Sequence, residues 1–256
     1  MSPPPDAHLD ALRSSVDRLR AVVAPLDDAQ LAAPAYPAEW SIAEVLSHVG
    51  SGAAIMQRQF DDARADQPTP DDFAPAVWEA WDAKPDRTKA TDALAADRAL
   101  LERLESSTGT ERARLAFAMG PMTFDFVGFV ALRLNEHALH TWDVEVALDA
   151  AAVVPADTAA LVVDNLELVA RYTAEPSGTT RTVIVSTTDP ARQFTVDVRA
   201  DSVSFTRGAG TSPSDVRLPA EAFVRLVYGR LDPDNTPAVD GDRSALDELR
   251  HVFKGP

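Results

Sequence analysis

Apolar residues recur every three or four positions along the first 150 residues, then alternate with polar ones in several later stretches. The change of period predicts a helical half followed by a mixed one. Leu9, Leu12, Val16, Leu19 and Val23 predict a first helix, with Asp6 placed to cap it and Pro25 to end it. Ser41-Ile42-Ala43-Glu44 has the form of a capping box, in which each side chain accepts from the other residue's backbone N–H. Trp40 and Val45 flank it as a hydrophobic staple, and Ile42, Val45, Val49, Met56 and Phe60 carry the second helix onward. A third helix runs through Leu94, Leu101 and Leu104, and a fourth covers about 123–148. The segment Val77-Trp78-Glu79-Ala80-Trp81 falls on the connection between the second and third. Four amphipathic helices of this length predict an antiparallel four-helix bundle.

Beyond Asp149, residues 150–154 read as a short linker ending at Pro155, and 157–173 as one further helix. Residues 182–187, 192–199 and 203–205 alternate with period two; Phe194, Val196 and Val198 form the clearest inward set. Residues 208–213 are rich in turn formers. Leu218-Pro219-Ala220-Glu221 opens a helix through Phe223, Leu226 and Val227, and 246–253 forms a last one. The domain reading is a helical bundle over 1–150 and a small α+β domain over 156–256.

Composition then narrows the function classes. Forty acidic against 24 basic residues leave a net charge of −16, spread along the chain with no basic stripe. Nucleic-acid affinity rests on phosphate neutralisation, and anionic membranes repel such a surface, so neither is an expected partner. The longest apolar runs are far short of a membrane span, and the N-terminus lacks a basic segment followed by an apolar one. A cytoplasmic protein acting on a small molecule is the expectation, as a monomer or homodimer. Only Lys84, Lys89 and Lys254 are lysines, a skew that suggests a GC-rich genome. Cysteine is absent, which removes disulfides, thiolate metal ligands and any cysteine nucleophile. Neither a phosphate-binding glycine loop nor a G-x-S-x-G elbow is present.

Histidines carry the remaining chemistry. Glu136 and His140 are four apart, so on a helix they sit one turn apart and about 40° apart in direction, close enough to reach one metal ion. His137 is rotated about 100° from Glu136 and cannot easily join them. His48, mid-helix beside Val45 with Gly52 leaving room one turn on, is the natural third ligand from another helix. Asp143, seven residues past Glu136, could hold the second ring nitrogen of a ligating histidine. Two histidines and one carboxylate leave coordination positions for a substrate, as in catalytic zinc sites, and also suit iron or nickel. Taken singly, each feature has an ordinary reading as a hydrogen-bonded or surface side chain. His8 and His251, near the ends, read as solvated, and the four tryptophans as core or pocket-wall residues.

These residues carry a resemblance. Trp40-Ser41-Ile42-Ala43-Glu44-Val45-Leu46-Ser47-His48-Val49 resembles the opening of the second helix in DinB-like metal-binding bundles. Gly120-Pro121-Met122-Thr123 with Glu136-x3-His140-Thr141-Trp142-Asp143-Val144 resembles the fourth helix of one branch, the mycothiol-dependent maleylpyruvate isomerase family. Leu218 through Leu231 and Val239-Asp240-Gly241-Asp242 resemble that family's C-terminal domain, which has a sterol-carrier-like α+β fold. The resemblance implies a divalent metal, usually zinc, on His48, Glu136 and His140, with a site between the two domains. It implies mycothiol, the small thiol of actinobacteria, as cosubstrate, and it assigns catalytic roles to His48 and Arg230. Arg230, in the family's Gly-Arg segment, would clamp a carboxylate of substrate or thiol; a surface ion pair is its ordinary alternative.

A chain without cysteine must take any sulfur nucleophile from outside, and a bound cation would hold that external thiol as thiolate at neutral pH. The expected function is therefore a metal-dependent, thiol-using S-transferase or cis–trans isomerase acting on a small electrophile. Two alternatives stay open: a non-catalytic binder of a small molecule or metal, and a metal-dependent hydrolase.

Overall fold

Four long helices organise the first half of the chain in a computed structural model that describes residues 6–36, 39–120, 122–208 and 212–255. The chain divides into two compact units, Met1–Asp149 and Ala150–Pro256. In the first, α1 (Ala7–Val23) is followed by the single-turn α2 (Asp28–Leu31), α3 (Ile42–Arg64), α4 (Phe73–Asp82) and α5 (Asp86–Glu105). A short α6 (Gly109–Arg112) and a hairpin of β1 (Phe117–Met119) and β2 (Met122–Phe124) lead into α7 (Phe126–Leu148). Helix α3 packs on α5 and α7, and α1 packs on α5 and α7, so the four long helices close a ring. Leu12, Leu19, Leu46, Phe60, Leu100 and Phe129, all essentially inaccessible, supply its core. Each such side chain contributes about 1.5–3 kcal/mol by leaving water.

Local chemistry sets the helix ends. Ser41 Oγ accepts from Glu44 N at 3.2 Å and the Glu44 carboxylate accepts from Ser41 N at 2.7 Å, so the expected capping box starts α3. Asp6 does not cap α1. Its backbone is already helical (φ −100°, ψ −1°), and its carboxylate accepts from Arg112 at 2.6 Å instead. The fourth long helix begins at Phe126, not at Thr123, because Asp125 is extended there and accepts from Gly128 N at 2.8 Å. Thr123 lies on the hairpin, whose turn uses Gly120 at φ 58°.

The connection between α3 and α5 is itself helical. Pro75 sits in the first turn of α4, where its missing N–H costs nothing. The two tryptophans of α4 then part company: Trp81 enters the core against Gly50, whereas Trp78 is half exposed.

The second unit begins with α8 (Ala156–Val162) and α9 (Leu166–Thr173), separated by a 3-10 turn, Val163–Asn165. The single helix expected over 157–173 is broken there. Val163, Asp164 and Asn165 are weak helix formers, and Asp164 is drawn aside by Arg192 and Arg207. The sheet consists of β3 (Arg181–Thr188), β4 (Arg192–Val198), β5 (Val203–Arg207), β6 (Val216–Pro219) and β7 (Asp240–Gly241), in the order β5-β4-β3-β6-β7. Only the β3–β6 pair is parallel. Val183, Val185, Phe194, Val196, Val198, Phe205, Val216 and Leu218 are buried, and Phe194 meets Phe223 of α10 (Ala220–Val227) at 5.0 Å. The last helix, α11 (Arg243–Val252), starts three residues earlier than its apolar pattern suggests, because Asp242 caps it by accepting from Ser244 N.

Candidate metal centre

The capped start of α3 places His48 two turns along a helix whose neighbour in the ring is α7. On α7, Glu136 and His140 stand one turn apart and face it. Glu136 Oε2 lies 3.6 Å from His48 Nε2 and 3.6 Å from His140 Nε2. One donor atom from each of the three residues lies within 4.8 Å of the other two. The two imidazole rings meet edge to face at 4.6 Å. Trp40, just ahead of the α3 cap, lies 5.6 Å from the His48 ring and stacks over His140 at 6.4 Å. Its part in walling the two imidazoles follows from its position next to the capping box.

Electrostatics mark Glu136 as a carboxylate. Crowding by protein raises its pKa, while His140 and His48 lower it, and the histidines win: the group stays well below the usual carboxylate range. Its side chain is nevertheless 51% exposed, so the site opens to solvent on the Glu136 side, whereas His140 retains only 10%. Behind His140, Nδ1 lies 2.8 Å from the fully buried carboxylate of Asp143. A carboxylate only accepts, so Nδ1 carries a proton and donates it to Asp143, and Nε2 is the ring nitrogen turned toward Glu136 and His48.

This donor set fits a divalent cation. Ligand bonds of about 2.0–2.1 Å in a tetrahedron put donors about 3.3 Å apart, close to the 3.6 Å separations seen here. Three protein ligands are one fewer than a closed structural zinc site uses.

Other candidates take different places. His137 is fully buried and turned away from the trio, with Nε2 at 3.1 Å from Asp97 and Nδ1 at 2.7 Å from Ser15 Oγ. Gly52 makes room for Arg133, not for His48: a Cβ there would meet Arg133 Nη1 at 3.1 Å. Arg230 does not lie on the surface. It is 4% exposed in the second unit, and Nη1 donates to the Tyr228 carbonyl at 2.8 Å. His251 is exposed and bonds the carbonyl of Asp247, whereas His8 is partly buried. Among the described residues, no helix is long and apolar enough to cross a membrane.

Residues 12–145 match the family described as the mycothiol maleylpyruvate isomerase N-terminal domain. A crystal structure of the mycothiol-dependent maleylpyruvate isomerase is similar over 89% of this chain and 90% of that one, with a TM-score of 0.64 at 13% identity. A mutant of that enzyme with one histidine replaced by alanine gives 0.63 over the same shares, also at 13% identity. At that identity the likeness shows the fold. No curated protein matches the chain.

Proposed function

Because the chain belongs to the mycothiol maleylpyruvate isomerase N-terminal domain family, we propose that it is a metal-dependent cis–trans isomerase using mycothiol as its thiol cosubstrate. The observation that carries this reading is the convergence of His48, Glu136 and His140 from two helices, backed by Asp143. In the same reading, the ring of α1, α3, α5 and α7 is the DinB-like antiparallel bundle, spanning 1–150. The sheet unit over 156–256 is the sterol-carrier-like domain.

His48, Glu136 and His140 would hold the ion, which we take to be zinc because the family resemblance implies it and the donor set admits it. When bound, a divalent cation lowers the pKa of a thiol, so that the sulfur reacts as thiolate at neutral pH. Isomerisation needs a thiol that adds to a conjugated double bond, a turn about the resulting single bond, and loss of the same thiol. S-transfer would share the addition and stop there. The chain has no cysteine, so the sulfur must be the cosubstrate's. Asp143 fixes the tautomer and orientation of His140, and Trp40 shields the two imidazoles from water on one side. Arg230 is the candidate clamp for a carboxylate, its guanidinium braced by the Tyr228 carbonyl.

The test is metal analysis of the purified protein and of His48→Ala and His140→Ala, paired with turnover of maleylpyruvate with and without mycothiol. About one divalent ion per wild-type chain, its loss in both variants, and turnover only with thiol are expected. Turnover of an ester or amide without thiol would replace this reading by the hydrolase. Metal binding with no turnover of any electrophile would replace it by the binder.

A further inference from the structure

One buried polar network touches all four long helices of the ring, and it runs beside the metal centre. Arg133 on α7 donates through Nη2 both to Asp97 of α5 and, at 3.0 Å, to the carbonyl of Val49 on α3. Asp97 also holds His137 of α7 at 3.1 Å, and His137 Nδ1 meets Ser15 of α1 at 2.7 Å and Thr141 at 3.2 Å. Arg133, Asp97, His137 and Thr141 are all at most 3% exposed. Gly52 lets the guanidinium lie against α3, since a side chain there would crowd Nη1.

The placement of the Val49 contact is informative. Val49 follows His48, and Arg133 precedes Glu136 by one helical turn and His140 by two. The hydrogen bond therefore joins the residue next to one metal ligand to the turn before the other two. Sliding α3 by one residue along α7 would move it about 1.5 Å and turn it about 100°, which would carry His48 away from Glu136. The packing of the apolar faces already disfavours such a slide, and the buried Arg133–Asp97 pair with its bond to the Val49 carbonyl adds a directional constraint that a shifted register would break.

We propose that Arg133 is a positioning residue for the metal centre: by tying the carbonyl beside His48 to Asp97, it fixes the register of α3 against α7 that brings the three ligands together. The inference rests on the metal reading above, and the experiment separates the two. Wild type, Arg133→Lys and Arg133→Met, as full chains, are loaded with cobalt(II). The visible absorption of the bound ion, its affinity against a competing chelator, and thermal unfolding without metal are then measured. Lysine keeps a cation beside Asp97, so that variant folds even where Arg133→Met does not. Its single ammonium on a shorter reach cannot span both Asp97 and Val49.

Expected are an altered cobalt spectrum at saturation and affinity lower by on the order of 10–100-fold in Arg133→Lys, the range seen when a group that orients a ligand is lost. A spectrum and affinity equal to wild type in that variant overturn the positioning role while leaving the metal reading intact. Weaker binding with an unchanged spectrum and a parallel fall in unfolding temperature also overturns it, because the network would then be only structural. A wild-type protein that takes up no cobalt overturns both.

Discussion

His140 Nδ1 is held 2.8 Å from the carboxylate of Asp143, a group with no solvent exposure three residues further along the same helix. Spacing of three on a helix lets the two side chains meet without a second element, so the imidazole is oriented by its own helix. Replacing Asp143 by Asn keeps the volume and removes the charge. The ring then loses the carboxylate that holds a proton on Nδ1 and turns Nε2 toward Glu136 and His48. Metal affinity in Asp143→Asn is expected to fall about 10–100-fold, read by chelator competition. An affinity within twofold of wild type would remove Asp143 from the site.

Arg230 makes the complementary prediction. The three candidate metal donors belong to the first unit and Arg230 to the second, where its Nη1 donates to the Tyr228 carbonyl. Arg230→Met is expected to leave metal content at the wild-type level. A hydrogen bond to a charged group is worth about 1.5–3 kcal/mol, so KM for a carboxylate-bearing substrate should rise on the order of 10–100-fold. Steady-state kinetics with a metal determination on the same sample decide it. An unchanged KM removes the clamp, and loss of metal would show instead that the substitution unfolds the chain.

Legibility in the sequence followed the range of the interactions. The capping box at Ser41 and the pair Glu136/His140 are local patterns, complete within one or two turns, and both could be read directly. His48 was legible because one histidine on the flank of an apolar stripe has few places to point. Asp97 was not: it stands between Ala96 and Arg98 on a charge-rich helix, and only its partners from α7 distinguish it from a surface acid. Arg133 differs, being a lone cation between Leu132 and Leu134 on an apolar helix, but its partners Asp97 and the Val49 carbonyl come from two other helices, and it is Arg133 that fills the room beside Gly52. The short strands β6 and β7 have little period of their own and exist through pairing with distant residues, Val185 with Val216 and Val216 with Gly241. The hairpin before α7 was hidden because its three-residue strands border a strongly helical run.

Two glycines on α3, two residues apart, should respond differently to alanine. At Gly50 a Cβ would lie 2.3 Å from the Trp81 ring and 2.8 Å from the Cα of Ala93, and the backbone of α5 cannot step aside cheaply. At Gly52 only the end of the Arg133 side chain is near, at 3.1 Å. Gly50→Ala is expected to cost about 1–3 kcal/mol as an overpacked contact. Gly52→Ala gains helix propensity and should change stability by less than about 1 kcal/mol. Denaturant unfolding of both variants tests the contrast, and equal effects would mean that the α3–α5 approach at Trp81 is looser than described.

Asp242 gives the C-terminal unit its own acid sensitivity. It caps α11 by accepting from Ser244 N and Oγ, each at 2.8 Å, and pairs with Arg181 at 2.6 Å. The bonds from Ser244, then the Arg181 guanidinium, lower its pKa from 3.8 to about 2. A carboxyl whose folded pKa lies below its unfolded value binds its proton more readily when unfolded. Its contribution to stability is therefore complete above about pH 4 and disappears as pH falls through about 2. Asn at this position still accepts from the Ser244 N–H and cannot ionise. Wild type is expected to be more stable than Asp242→Asn at pH 5, with the difference closing as the pH is lowered to 2. Unfolding of both proteins across that range measures it, and a gap that stays constant with pH would show that the carboxylate of Asp242 does not stabilise the start of α11.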